Sequence, residues 1–375
     1  MFLSNTWGDC SRDARINEQV MLQEIAEAAR LGVDVIQIDD GWQKGRSANS
    51  AGGKGIWNGY WATDPECWTP DARRFPNELA PGVGAAGAKG MKFGLWHGPD
   101  PSNHASNWQR DADRILQLHH EHGIDCFKLD SMKAITPETE RNLRRFWDRV
   151  QEQSQGRVVF DLDVTAEIRP GYFGAPDVGP VFVKNRYTDF GNYRPHQTLR
   201  NLWMLLQDVD PLRLRMEFLN HTRTPEKYAG DPLAPAPYQP YYLFTATMFS
   251  NPPGWVETSG LPEESMQSTS ALVKIWKQER AAMFSGTILP IGETPDGTSW
   301  SGFASAARDG KSGHILLFRE TNERSGFSLK LPDAMQDIPN ITLLAGEGTL
   351  ERQGDHLHAT IPSPKRCRFA RIDGL

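Results

Sequence analysis

The 375 residues are 38% hydrophobic and 23% charged, with a formal net charge of −6 and no basic run. That composition supports one large core plus a smaller unit and leaves no electrostatic footprint for nucleic acid or an anionic membrane. No apolar run approaches the roughly 20 residues of a membrane span, and Met1 leads into a strand-like segment with no basic n-region or apolar h-region. The chain as it stands is therefore expected in the cytoplasm, which an upstream segment would change. The four cysteines (Cys10, Cys67, Cys126 and Cys367) show no CxxC and no metal-ligand spacing, so free thiols are expected.

Phe2 to Trp7 is short and apolar. Asn17 to Leu31 repeats apolar residues near helical period and is closed by Gly32. The run VDVIQIDDGWQ, Val33 to Gln43, then stops on two carboxylates, and the glycine-rich Gly45 to Trp61 follows as a candidate functional loop. The same helix-then-strand alternation recurs. A helix around Ala85 to Lys89 precedes MKFGLWHGPD, and Ala112 to Glu121 precedes GIDCFKLD. Glu138 to Gln153 precedes GRVVFDLDV. Then come PVFVKNRYTD, a helix around Thr198 to Leu206, RLRMEFLN, a helix around Tyr241 to Phe249, PPGWVE, and a long helix from Glu263 to about Phe284. Eight strands alternating with helices predict a (β/α)8 TIM barrel over residues 1–287. A doubly wound sheet is the competing architecture, but no Gly-rich phosphate loop follows the first strand. From Ile288 onward, short alternating strands divided by Gly, Asp, Asn and Pro predict a small antiparallel β-sandwich over 288–375.

In a barrel the chemistry gathers at the carboxyl ends of the strands. Those ends supply Trp7 and Asp9; Asp39, Asp40 and Trp42; Trp96, His97 and Asp100; Lys128 and Asp130; Asp161 and Asp163; Asp189; Glu217 and Asn220; Trp255 and Glu257. Lys128 and Asp130, two apart on a strand, share a face, as do Asp161 and Asp163. Two chemistries suit such an acidic mouth. Divalent metal chemistry wants converging carboxylates. Glycoside hydrolysis wants two carboxylates flanking a bond, further acids for sugar hydroxyls, and tryptophans under the ring. The tryptophans favour the second, and so does Lys128, because a fixed cation keeps a nucleophilic carboxylate ionised.

The ordered succession NTWGD, VIQIDDGW, FPN, GMKFGLW and GIDCFKLD, over about residues 3–200, resembles the catalytic domain of the α-galactosidases of glycoside hydrolase family 36, in the clan shared with family 27. The resemblance implies a β/α barrel followed by a β-sandwich, and a retaining mechanism on α-galactosides without a cofactor or metal. It implies Asp130 as nucleophile, Lys128 as a sugar-binding lysine, Asp39 and Asp40 as acids for galactose hydroxyls, and Trp7, Trp42 and Trp96 as further substrate-binding positions. It implies Asp189, at the end of NRYTD, as acid/base.

Three departures from the family pattern stand out. Its cysteine- and glycine-rich turn is absent, leaving Asp161, Asp163, Glu167 and Arg169 to define a different subsite. HGPD replaces its acidic segment after GLW, so that His97 is either a substrate hydrogen bonder or a histidine satisfied by a neighbouring loop. The sequence begins at the first strand where the family usually carries a large β-domain before the barrel, so that it is either a minimal two-domain form or has its start upstream. The expected partner is a small-molecule or oligosaccharide substrate, with neither nucleic acid nor membrane. α-N-acetylgalactosaminidase, β-arabinopyranosidase-like and transglycosidase activities, a metal-dependent barrel enzyme and a non-catalytic sugar-binding relative remain the alternatives.

Overall fold

The computed structural model describes residues 1–9, 12–131, 133–165, 175, 177–308, 312–332, 335 and 340–373. The chain divides into two compact units, Met1–Tyr187 with Pro253–Leu261, and Thr188–Pro252 with Pro262–Leu375.

In the first unit the apolar runs form parallel strands β1 (Leu3–Asn5), β2 (Val35–Ile38), β3 (Lys92–His97), β4 (Cys126–Leu129), β5 (Val159–Asp163), β6 (Val181–Phe182) and, late in the chain, β8 (Pro253–Trp255). Their order is β6-β5-β4-β3-β2-β1-β8; the second unit carries β7 (Leu214–Arg215), the eighth strand. The predicted (β/α)8 barrel is therefore present. The strands are buried almost throughout, which is why they read as continuous apolar runs rather than alternating ones. Register sets Trp96 on β3 beside Lys128 on β4, and Lys128 beside Asp161 on β5.

The connecting helices begin where local chemistry dictates. Asn17 caps the helix Glu18–Leu31 by accepting from the Val20 N–H at 3.0 Å. Thr136 caps Pro137–Gln153, whose first residue is a proline already fixed in helical φ. Among the described residues no helix is long and apolar enough to cross a membrane.

The second unit holds the helices Pro195–Leu205, Pro240–Thr245 and Glu263–Met283, and two antiparallel sheets. One sheet is built from β9 (Thr287–Gly292), β10 (Trp300–Ala306), β11 (Ser312–Arg319), β13 (Asn340–Gly346) and β16 (Arg366–Asp373). The other is built from β12 (Gly326–Lys330), β14 (Thr349–Gln353) and β15 (His356–Thr360). Ile315, Leu317 and Ile372 of the first sheet share one apolar cluster with Leu350 and Leu357 of the second. Trp300 stacks on Phe327 at 5.3 Å. Alternating strands of this kind bury one face against a partner sheet, as a sandwich requires.

Candidate active site

The site is built on β4. Its Lys128 side chain is 4% exposed, and the ammonium lies 3.1 Å from Asp39, 3.3 Å from Asp130 and 3.3 Å from Asp163. It also sits 5.1 Å from the centre of the Trp255 ring, a cation–π contact. Burial works against the charge, but the carboxylates of Asp39, Asp130 and Asp163 more than offset it and hold the lysine pKa well above its ordinary value. Of the three acids, Asp130 is the one that opens outward. Its side chain is 19% exposed, against 3% for Asp39 and 1% for Asp163. Asp130 Oδ2 accepts from the Trp96 indole N–H at 3.2 Å and Oδ1 from the Ser131 N–H at 2.5 Å. The carboxylate is thus held by both oxygens in the lining of a cavity of about 830 Å³.

The acids after β2 behave differently from one another. Asp39 faces Lys128 and also accepts from Asn5 Nδ2 at 2.8 Å; Asn5 in turn donates to Gln37, which donates to Asp161 at 3.2 Å. Asp40 turns the other way. It accepts from Gln43 at 2.6 Å and from the Ser47 hydroxyl, and burial pushes its pKa up to about 7 in spite of those two bonds. Gly41 makes the turn between them and Trp42 with φ of 116°, and an added Cβ would fall 2.4 Å from Asp13 Cβ. Only glycine fits there.

The tryptophans are packed inside. Trp42, Trp96 and Trp255 are at most 1% exposed, and Trp7 is 8% exposed. The Trp42 indole N–H is committed to the Trp96 carbonyl at 2.8 Å. Trp68, a residue the sequence does not single out, joins this group. Its ring lies 6.2 Å from Trp42, 5.4 Å from Trp96 and 4.1 Å from His97. His97 is fully buried against that ring, with Nε2 3.4 Å from Asp111, so it serves the packing of the loop side of the site.

Asp163 accepts from the Thr165 N–H and hydroxyl at 2.9 and 2.6 Å in addition to its ion pair. Asp189 belongs to the second unit, in the short 3-10 turn Thr188–Phe190, where its Oδ2 accepts from Arg223 at 2.8 Å. Glu167 and Arg169 lie outside the described residues. Sequence reading missed Asn5, Gln37 and Ser131. Gln37 had a signal: a polar residue inside an apolar strand, on the face of Asp39 by the two-residue rule. Chemically, the arrangement offers one solvent-facing carboxylate held by an ammonium and two N–H groups, backed by two buried acids.

No family model matches the chain. An α-galactosidase of Escherichia coli is 35% identical over 103 residues, which is 27% of this chain and 13% of that protein. A probable α-galactosidase G of Aspergillus terreus is 30% identical over 116 residues, 29% of this chain and 14% of that protein. Among solved structures, a GH36 α-galactosidase variant from Geobacillus stearothermophilus in complex with 1-deoxygalactonojirimycin matches 100% of this chain and 55% of its own, at a TM-score of 0.73 and 15% identity. α-Galactosidase I from Mortierella vinacea matches 100% of this chain and 97% of its own, at 0.65 and 13%. The chain thus spans about half the length of the GH36 structure, and its matched stretch about an eighth to a seventh of the curated relatives. The barrel and sandwich thus share the fold of the GH36 α-galactosidase structures, and a local stretch of the sequence is similar to curated α-galactosidases.

Proposed function

We propose that the chain is a retaining glycoside hydrolase acting on terminal α-galactosides. The carrying observation is the Lys128 cluster: of three acids gathered on one buried ammonium, Asp130 alone combines that pairing with a place in the lining of the cavity. Asp130 attacks the anomeric carbon, and the bond to the leaving oxygen breaks as Asp189 supplies a proton. Asp189 then takes a proton from water, which displaces Asp130 and returns the α-anomer. Lys128 and Trp96 hold the nucleophile in place, and Asp39 shares the ammonium. That a variant of the Geobacillus enzyme was solved with raffinose supports an oligosaccharide as substrate.

A panel of aryl glycosides followed by NMR tests the reading, with α-galactose appearing first from the α-galactoside; β-galactose would refute retention. Asp130→Asn should lower kcat by about 10³-fold or more. Asp189→Ala should spare substrates with activated leaving groups, and equal loss on activated and natural substrates would remove Asp189 from the acid/base role. The Arg223 guanidinium on Asp189 favours one second reading, a sugar-binding relative in which the acid is engaged elsewhere. Galactose binding without turnover of any glycoside would select it.

A further inference from the structure

We infer that Trp57 and Asn58 form the wall that receives the leaving group, a saccharide, and that the buried Asp100 is the positioning residue that fixes this wall and the adjoining one after β3. The inference rests on the galactosidase reading of Asp130. The cavity that Asp130 lines is bounded on one side by Trp57 and Asn58 of the long loop after β2, and on another by Asn103 and His104 after β3. An indole ring among side-chain amides suits sugar rings, which offer apolar faces and hydroxyl edges. Its volume, within the roughly 300–1,000 Å³ range of pockets that take drug-sized ligands, leaves room for more than one sugar unit.

Both walls hang on one carboxylate oxygen. Asp100 is fully buried. Its Oδ1 accepts from the Gly59 N–H at 2.8 Å, the residue after Asn58, and from the Ser102 N–H and hydroxyl at 3.0 and 2.7 Å, the residue before Asn103. Its Oδ2 accepts from Asn107 at 3.2 Å. Asp111, also fully buried, braces the same point: it accepts from the Trp61 indole at 3.0 Å and from the Asp100 N–H at 3.0 Å. The backbone at these walls is strained. Asn103 and His104 lie at φ of 47° and 59°. Non-glycine residues persist in that region only where their surroundings over-determine them, and here the Asp100 bonds to Ser102 and the Asn142 amide on the His104 carbonyl at 2.9 Å do so. The far end of the loop is fastened as well, Asp13 accepting from Ser50 and the Ala51 N–H at 2.6 Å each. The segment HGPD, a departure from the family pattern, is thus the clamp of a fixed leaving-group wall.

The test compares raffinose with α-galactosyl fluoride, whose leaving group touches no wall. Trp57→Ala should lower the raffinose-to-fluoride ratio of kcat/KM by about tenfold to a hundredfold, mainly through the KM for raffinose. Asp100→Ala should lower the same ratio, and the double variant should lose less than the two single losses combined, because both act on the Trp57 wall. Equal losses on the two substrates, or an additive double variant, would overturn the inference. Trp57 bears on no fold contact named above, so it keeps the test open should Asp100→Ala fail to fold. If the unaltered protein turns over neither substrate, the activity reading fails and the wall is tested by calorimetry. Raffinose binding weakened tenfold or more by Trp57→Ala supports it, and equal binding overturns it.

Discussion

Two buried carboxylate sites, a cluster of three acids in the first unit and a single glutamate in the second, have been given opposite solutions. In the first unit Asp39, Asp130 and Asp163 are joined by the Lys128 ammonium at 3.1–3.3 Å. In the second, fully buried Glu320 is met by neutral donors, the Tyr238 hydroxyl at 3.1 Å and the Tyr242 hydroxyl. Lys365, whose charge acts on Glu320, sits over the Tyr238 ring at 5.1 Å. Burial accordingly pushes Glu320 up to about 7, the tyrosine bond and the more distant lysine only partly opposing it. The difference teaches that burial alone makes an acid inclined to hold its proton, whereas burial around a cation keeps the charges that nucleophilic chemistry requires. Glu320 ties strand to helix; the Lys128 cluster presents an anion to a cavity.

Removing the cation should break this contrast most sharply. Lys128→Met leaves three acids gathered without a counter-ion, and urea denaturation at pH 7.5 should show a loss of about 3–5 kcal/mol. Part of the loss should return toward pH 5, where the orphaned acids take up protons; an unchanged midpoint would mean that the ammonium does not hold the cluster together. A smaller effect is expected in the second unit. Burial raises Glu320 in the folded state from its ordinary 4.5 to about 7, so the folded form binds the extra proton between those values. Its contribution to stability is full below pH 4.5 and declines as the pH rises to about 7, by a few kcal/mol at most. The difference between wild-type and Glu320→Gln denaturation curves should carry that slope, and parallel curves would refute it. Smallest is Ser47→Ala, which removes one donor from Asp40 at a cost of about 1 kcal/mol. Since the Ser47 bond lowers the Asp40 pKa against burial, its removal should move the Asp40 titration, followed by carboxyl NMR, to still higher pH. A downward move would contradict the assigned partner.

Much of this was legible in the chain. The barrel strands announce themselves because parallel strands buried on both faces need unbroken apolar runs, and Asn17, Thr136 and the glycines after the helices mark the ends. The Lys128–Asp130 pair follows from strand periodicity alone. The tryptophans were less legible. Their places at strand ends suggested sugar platforms, yet Trp42, Trp96 and Trp255 are buried, and Trp57, which lines the cavity, lies in a loop with no periodic pattern. Nothing local encodes how that loop folds back, because its anchors Asp100 and Asp111 are 41 and 50 residues from the groups they bind. Asp39 and Asp40 look equivalent as a pair in sequence, but adjacent residues leave a strand end in opposite directions, one toward Lys128 and one toward Ser47.

The central claim is that Asp130 becomes covalently bonded to the sugar. Incubating the protein with a 2-fluoro galactosyl fluoride, which slows release of the intermediate, and mapping the adduct by mass spectrometry tests it directly. The account predicts one fluorogalactosyl adduct on the peptide that contains Asp130, absent from the Asp130→Asn variant. An adduct on another carboxylate, or steady turnover of α-galactosides with inversion and no adduct, would contradict it.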